Sequence, residues 1–537
     1  MYPLSILPKI HQKLYLYTMK NKYLPIGIQD FRTLRENEYI YVDKTEQIFG
    51  LAKLMGASYF LSRPRRFGKS LLVNTFKELF LGSRELFKDL WIEDKWDWSK
   101  TYPVLHFSFD AMSYDSNGLE KAIQFWLKDI AVKNNITLQM EKFDDQFGEL
   151  IDKMSIEKGK IVILVDEYDK PIIDYLEFVK LPNADINRKI LKNFYSVLKY
   201  KSDKIRFLFI TGVSKFSKVS VFSDLNQLED LTLSPESTTL VGYTQNELEN
   251  YFDDELEATA IRLNISRDFL LENMKIWYNG YSWDGINKVY NPFGTLNFLK
   301  KKMFHNFWFA TGTPTFLLEQ MKLKSDFNFE NITINSLVFE QYDIQNIDLV
   351  SLLFQTGYLT VKSVEPMTGD YVLDYPNKEV RESLYQFVIN GLTNAAKTNY
   401  YAGNSVKELI KAFHDADLNC VRDVLNTLLS SLPAETFEEK SEGLYHGLLH
   451  ITFKLLGIYV QSEVHSSKGQ ADSIVITDSH VFIFEFKFNR STKEALKQIK
   501  LKNYAEQYRS SGKKIVGIGV NFVTKDRAIK GWGVEDL

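Results

Sequence analysis

SYFLSRPRRFGKSLL, residues 58–72, decides the fold. An apolar run stops at a basic, proline-containing turn, and Gly68-Lys69-Ser70 then opens a helical pattern over 70–81. A bound phosphate needs backbone N–H groups at a helix N-terminus, a lysine charge and a hydroxyl that can hold magnesium. Lys69 and Ser70 supply the last two. The full GxxxxGK(S/T) pattern calls for glycine at position 63, where Arg63 stands without glycine's permissive backbone.

A phosphate site of this kind requires an acidic residue at the end of a neighbouring buried strand. KIVILVDEYDKP (160–171) provides one. Asp166 is expected to bind magnesium through water, and Glu167 to orient or activate the attacking water. IRFLFITG (205–212) ends on Thr211, a candidate sensor of a γ-phosphate. With ASYFLS (57–62) and PVLHFSF (103–109), these runs alternate with helical stretches such as 118–134. That alternation predicts an α/β fold, a parallel sheet covered by helices on both faces. Residues 244 to about 430 read as mainly helical, with a loop at YNGYSWDG (278–285) and a hairpin at VEPMTGDYVLDYPN (364–377).

The last hundred or so residues change character. A helix (439–456) leads into YVQSEV, ADSIVITD and HVFIFEFKF, then a long helix (491–511) and the strand KKIVGIGVNF. In HVFIFEFKF, Glu485 and Lys487 share one strand face while Phe484, Phe486 and Phe488 share the other, which suggests a one-sided site. Asp472, at the start of the preceding strand, is placed to converge with Glu485 on a divalent ion, and Glu442 on the helix before is a further carboxylate. Carboxylate oxygens suit Mg2+ or Mn2+. Such an ion polarises a phosphodiester and acidifies a bound water, with Lys487 positioning that water or neutralising charge. Residues 489–537 carry 11 Lys+Arg against 5 Asp+Glu, a local net of +6 that suits a phosphate backbone.

The whole chain, 537 residues with 45% hydrophobic and 25% charged, has ordinary globular composition. Its length corresponds to three or four domains at about 150 residues each. The net charge of −3 averages the basic end against an acidic remainder. Cys420 is the single cysteine, so no intrachain disulfide and no thiolate metal cluster can form. This favours a reducing, cytoplasmic compartment. No apolar run approaches the ~20 residues that cross a bilayer, and the N-terminus lacks a continuous signal-like core, so no membrane association is expected. Met19 opens MKNKYLPIG, a start alternative to Met1 that leaves the residues before it as an upstream extension. His446 and His450, spaced i, i+4 in HGLLH, lack the Glu of a zinc HExxH helix, and packing is expected of them. Cys420 is expected as a buried structural thiol. Arg63, Arg65 and Arg66 are candidates for phosphate contact, for a neighbouring subunit, or for plain loop surface.

RPRRFGKSLL, VILVDEYDKPI, FITGVSKFS, LEDLTL, WYNGYSWDG with YNPFG, and FATGTPTFL occur here in the order seen in AAA-ATPase-like proteins, which the chain resembles from about residue 24 to 530. Those proteins commonly end in a PD-(D/E)XK nuclease-superfamily domain. The resemblance implies that Arg-Pro-Arg-Arg before the glycine is this loop's usual form. Arg66, Phe67, Gly68, Lys69, Ser70 and Leu71 then become the nucleotide-contact candidates, with Asp166 and Thr211. It also implies that Gly469-Gln470-Ala471-Asp472 matches a pattern written with Arg where Gln470 stands. Glu485-Phe486-Lys487 matches the ExK element, and Gln498 with Tyr504 the following helix.

The expected organisation is an N-terminal extension (1–23), a P-loop domain (24–250), a mainly helical region completing the ATPase module (251–435) and a restriction-endonuclease-like α/β domain (436–537). The expected function is ATP binding and hydrolysis joined to metal-dependent cleavage of nucleic acid, DNA rather than RNA, in a chain that could self-assemble. A second reading is a nucleotide-driven switch whose nuclease-like domain binds nucleic acid or a partner without cutting. Metal affinity at Asp472 and Glu485 separates the two.

Overall fold

The computed structural model describes residues 22–114, 118–176, 180–215, 221–222, 225–308, 315–324, 329–339, 348–393, 402–432, 441–457, 461–464 and 472–537. They fall into two compact units. One is drawn from Met1–Trp308 and Asn331–Asn377, the other from Phe309–Glu330 and Lys378–Leu537. The mainly helical stretch is divided between them.

The first unit is built on a parallel sheet of β1 (Ala57–Ser62), β2 (Val104–Ser108), β3 (Ile161–Asp166), β4 (Ile205–Gly212) and β5 (Glu229–Asp230), in the order β2-β3-β4-β1-β5. β3 and β4 are buried along their whole length, as the apolar runs IVILV and FLFI require when helices cover both faces. The expected alternation of strands and helices is thus present. The order carries the functional consequence, because β4 separates the strand before the glycine loop from the strand ending in Asp166. Helix Lys69–Leu81 packs Phe76 and Phe80 against Phe207 of β4. Beyond the sheet, helices Gln245–Tyr251, Asp253–Leu263, Arg267–Tyr278 and Pro292–Lys301 share one core around Phe252, Met274, Tyr278 and Phe298. The expected hairpin is present as β7 (Thr360–Val364) and β8 (Tyr371–Asp374), joined by β6 (Ile332–Ile334) into an antiparallel sheet ordered β6-β8-β7.

The second unit contains a sheet of β9 (Gln461–Val464), β10 (Ser473–Ile476), β11 (His480–Phe488), β12 (Lys514–Val523) and β13 (Ala528–Asp536), in the order β13-β12-β11-β10-β9. Only β11 and β12 pair in parallel, and helix Thr492–Leu501 makes the crossover between them. The expected long helix stops at residue 501, and Asn503, in the left-handed region, turns the chain into a 3-10 segment, Glu506–Ser511. Helix Thr492–Leu501 lies close on β12 and β13. A Cβ at Gly519 would stand 2.9 Å from the Thr492 carbonyl oxygen, and one at Gly531 2.6 Å from the Thr492 methyl. Helices Thr315–Lys324, Lys378–Leu392, Ala402–His414, Leu418–Ser430 and Ser441–Leu456 also belong to this unit.

Cys420 departs from expectation. It lies in the first turn of helix Leu418–Ser430 and is partly exposed, while Val421, Val424, Leu425 and Leu428 form the inward face. Among the described residues no helix is long and apolar enough to cross a membrane.

Candidate functional site

β1 delivers the chain into a loop, residues 63–68, whose strain lies at its end. Arg66 (φ 68°) and Gly68 (φ 95°) occupy the left-handed region, and Arg63, at the glycine position of the pattern, does not. No side chain caps the helix that starts at Lys69, so the first-turn amides of Lys69, Ser70 and Leu71 face the loop as a helix N-terminus open to an anion. The Lys69 ammonium is buried and donates to the carbonyls of Arg63 and Pro64, each at 3.0 Å. Burial pushes its pKa down, and the carboxylates of Asp166, Glu167 and Asp169 oppose that.

Asp166 stands buried at the end of β3, and against the upward effect of burial the nearby Ser70 hydroxyl lowers its pKa. Burial pushes both Asp166 and Glu167 upward. Glu167 itself is in the left-handed region, with its N–H on Asp166 Oδ1 at 3.0 Å. Lys69, Ser70, Asp166 and Glu167 therefore come together.

The remaining loop candidates behave differently. Phe67 turns its ring into the core against Tyr281 and Trp283, so only its backbone is available to a ligand. Arg66 lays its guanidinium 3.9 Å over Phe293, and its buried Nη1 has no hydrogen-bond partner among the described residues. Leu71 is half-buried. Thr211 is fully buried and its hydroxyl donates to the Leu61 carbonyl at 2.7 Å, which occupies the hydrogen a γ-phosphate would need.

Asp169, which pattern reading passed over, and Arg63, which it offered for phosphate, subunit or surface contact, shape this site from within. Asp169 is buried and accepts from the amides of Val213 and Ser214 and from the Ser214 hydroxyl, tying the end of β3 to the loop after β4. Its position three residues after Asp166 in DEYD was the available signal. Arg63 is buried completely, where it is pushed down to about 9, and contacts no loop surface.

In the second unit, Asp472 precedes β10, and Ser473 pairs with Phe484. Asp472 thereby reaches β11, where its Oδ2 accepts from the Phe486 amide at 2.7 Å. Lys487 donates to Glu485 Oε1 at 2.6 Å and to Gln498 Oε1 at 2.9 Å. Glu485 is only 1% exposed, because helix Thr492–Leu501 covers its face of β11. The opposite face packs Phe484 and Phe486 on Phe453. The charged pair and the phenylalanines thus occupy opposite faces of β11, and both faces are covered. Burial, and next the Asp472 charge, push Glu485 up to about 7 despite Lys487. Its Oε2 is buried, and among the described residues no group meets it at hydrogen-bonding geometry. Tyr504 packs into the core under this helix, where burial first, and then the Glu485 and Asp472 charges, raise its pKa against the Gln498 side chain.

Glu442 lies on helix Ser441–Leu456, but its side chain, like residues 465–471 with Gly469 and Gln470, is outside the described residues. Among the described residues no group of three or more His, Cys, Asp or Glu side chains is arranged around a metal position. Asp472 and Glu485 form a pair of hard oxygen donors, and the unmet Oε2 fits a cation. His450 is pushed down to about 4 by burial, and the His446 side chain lies outside the described residues.

Comparison with known proteins follows the same division. A family model described as predicted AAA-ATPase matches residues 25–222, and one described as PD-(D/E)XK nuclease superfamily matches residues 440–532. A protein of Azotobacter chroococcum mcd 1, described as an uncharacterised protein in the vnfD 5′ region, is 37% identical over 536 residues, 97% of this chain and 100% of that one. Among solved structures, a Walker-type ATPase of Pyrococcus abyssi aligns over 65% of this chain and 97% of its own, at 10% identity and a TM-score of 0.32. The ORC2 protein of Aeropyrum pernix, solved as ADPNP–ADP complexes, aligns over 71% and 98%, at 11% identity and a TM-score of 0.25.

Proposed function

We propose that this chain, which belongs to the AAA-ATPase-like family and ends in a PD-(D/E)XK nuclease-superfamily domain, binds and hydrolyses ATP in its first unit and cleaves nucleic acid in its second. The observation that carries the reading is a convergence repeated in each unit. Ser70 meets Asp166 beside Lys69, and Asp472 meets the Glu485–Lys487 pair.

In the first unit the nucleotide phosphates seat on the amides of residues 68–71. Lys69 turns from the Arg63 and Pro64 carbonyls onto them, and Arg66 adds a planar donor whose Nη1 is unmet among the described residues. Ser70 and Asp166 would hold Mg2+, which when bound neutralises charge on the phosphate oxygens. Glu167, its pKa raised by burial, accepts the proton of the attacking water. In the second unit Asp472 and Glu485 would hold Mg2+ or Mn2+, which when bound polarises the phosphodiester and acidifies water. Lys487, fixed by Gln498, orients the nucleophile. The exposed Lys493, Lys497 and Lys502 supply the positive surface a DNA backbone requires.

The test is nucleotide binding and metal-dependent cleavage by the purified full chain. Lys69→Ala should abolish the first, and Asp472→Ala the second.

A further inference from the structure

The position where the phosphate-loop pattern calls for glycine is the most heavily anchored residue of the loop. The Arg63 guanidinium donates through Nη1 to the Ser62 and Thr232 carbonyls at 2.9 and 2.8 Å. Through Nη2 it donates to the Ser237 carbonyl at 3.1 Å and to the Ser237 hydroxyl at 3.2 Å. It lies 3.9 Å over the ring of Trp283. The backbone of the same residue makes two further bonds. Its N–H donates to the Gly212 carbonyl at the end of β4, at 3.2 Å, and its carbonyl accepts from Lys69. Arg63 thus touches the end of β4, the segment after β5, the Trp283 turn and the phosphate-binding lysine.

A guanidinium buried on carbonyls and one hydroxyl, its Nε unmet among the described residues, is a poor device for stability alone, because its desolvation outweighs the help of the Asp230 and Asp284 charges. What such a fork does well is fix geometry, since its donors are rigid and coplanar. The partners are themselves held. Asp284 accepts from the Ser282 hydroxyl and the amides of Ile286 and Asn287, and the Ser282 amide donates to Thr360 on β7. Pro64 abuts Gly357, where a Cβ would stand 2.7 Å from the proline ring.

We propose that Arg63 is a positioning residue for the nucleotide, clamping the two carbonyls on which Lys69 rests so that withdrawal of the lysine onto phosphate is registered at Trp283. This rests on the reading that the loop binds ATP. It assigns a role to the tryptophan of WYNGYSWDG, and it explains how this loop dispenses with a glycine turn: rigidity imposed by a side chain replaces freedom supplied by the backbone.

The experiment uses the full chain with MgATP, reading affinity by calorimetry and Trp283 emission as the difference between wild type and Trp283→Phe, which isolates that indole among eight tryptophans. MgATP should change Trp283 emission in the wild type. Arg63→Lys, which keeps the charge but loses the fork, should weaken ATP about tenfold and suppress the emission change. A solely structural role would leave the indole blind to nucleotide. Wild-type affinity and emission response in Arg63→Lys, with binding lost in Lys69→Ala, overturn the proposal and leave the ATP reading standing. ATP binding unaltered by Lys69→Ala overturns both. If Arg63→Lys does not fold, Trp283→Phe carries the test: a several-fold loss of affinity supports the clamp, and wild-type affinity refutes it.

Discussion

Lys487 donates to the carboxylate of Glu485, two residues before it on β11, at 2.6 Å. The two side chains share one strand face, and the covering helix leaves the pair with little water. Truncating the lysine strands Glu485 in a buried place. Lys487→Ala should therefore lower cleavage by about two to three orders of magnitude, within the range for loss of a positioned proton-transfer or charge-stabilising group. The measurement is the rate of substrate loss with Mg2+, alongside a melting curve showing the variant folded.

The Glu485 carboxyl, pushed up to about 7 from an ordinary 4.5, predicts the direction of a pH effect. A carboxyl with a raised folded pKa contributes stability that is present below the unfolded value and lost as pH rises through the folded one. Metal-free protein should lose stability between about pH 4.5 and 7 relative to Glu485→Gln. Mg2+, which binds the ionised carboxylate, should restore it at the upper end and hold the pH at which cleavage falls below the metal-free value of about 7. Melting temperatures across that window, with Mg2+ or with chelator, check the sign.

At the nucleotide site the roles separate by substitution. Lys69→Ala should remove ATP binding. Glu167→Gln keeps the shape and should keep binding while hydrolysis drops by about a hundredfold or more, as expected for a lost general base. Calorimetry gives the first quantity and phosphate release the second. Equal loss of both in Glu167→Gln would place the residue in binding rather than chemistry.

Gly212 closes β4 where a Cβ would stand 2.5 Å from Asp169 Oδ1 and equally close to the Tyr168 ring. Gly212→Ala should destabilise the first unit by about 1–3 kcal/mol, the usual scale of overpacking. It should also disturb the Asp169 bonds to Val213 and Ser214, weakening ATP. Chemical denaturation and ATP titration of the same sample measure both.

The strands around the nucleotide site were legible because burial on both faces favours apolar runs, seen in YFL of β1, IVILV of β3 and FLFI of β4. Their order was not legible: nothing local places β4 between β1 and β3, and the edge strand β5 is only Glu229–Asp230. β13 escaped notice because Gly531 and Gly533 interrupt its alternation, yet both glycines let helix Thr492–Leu501 approach. At the candidate sites, motif spacing named Lys69, Ser70, Asp166, Glu485 and Lys487, which the structure places among the partners described. It could not reveal that Thr211 spends its hydroxyl on Leu61 or that Arg63 faces inward, since both depend on segments distant in sequence.

The most direct measurement is cleavage by the full chain of single- and double-stranded DNA and RNA, with Mg2+, Mn2+ or chelator, with and without ATP, beside Asp472→Ala. Cleavage should require metal, be strongest on DNA, change with ATP and disappear in Asp472→Ala. Failure to cleave any of these substrates with either metal, or cleavage by Asp472→Ala at the wild-type rate, would contradict the proposed function.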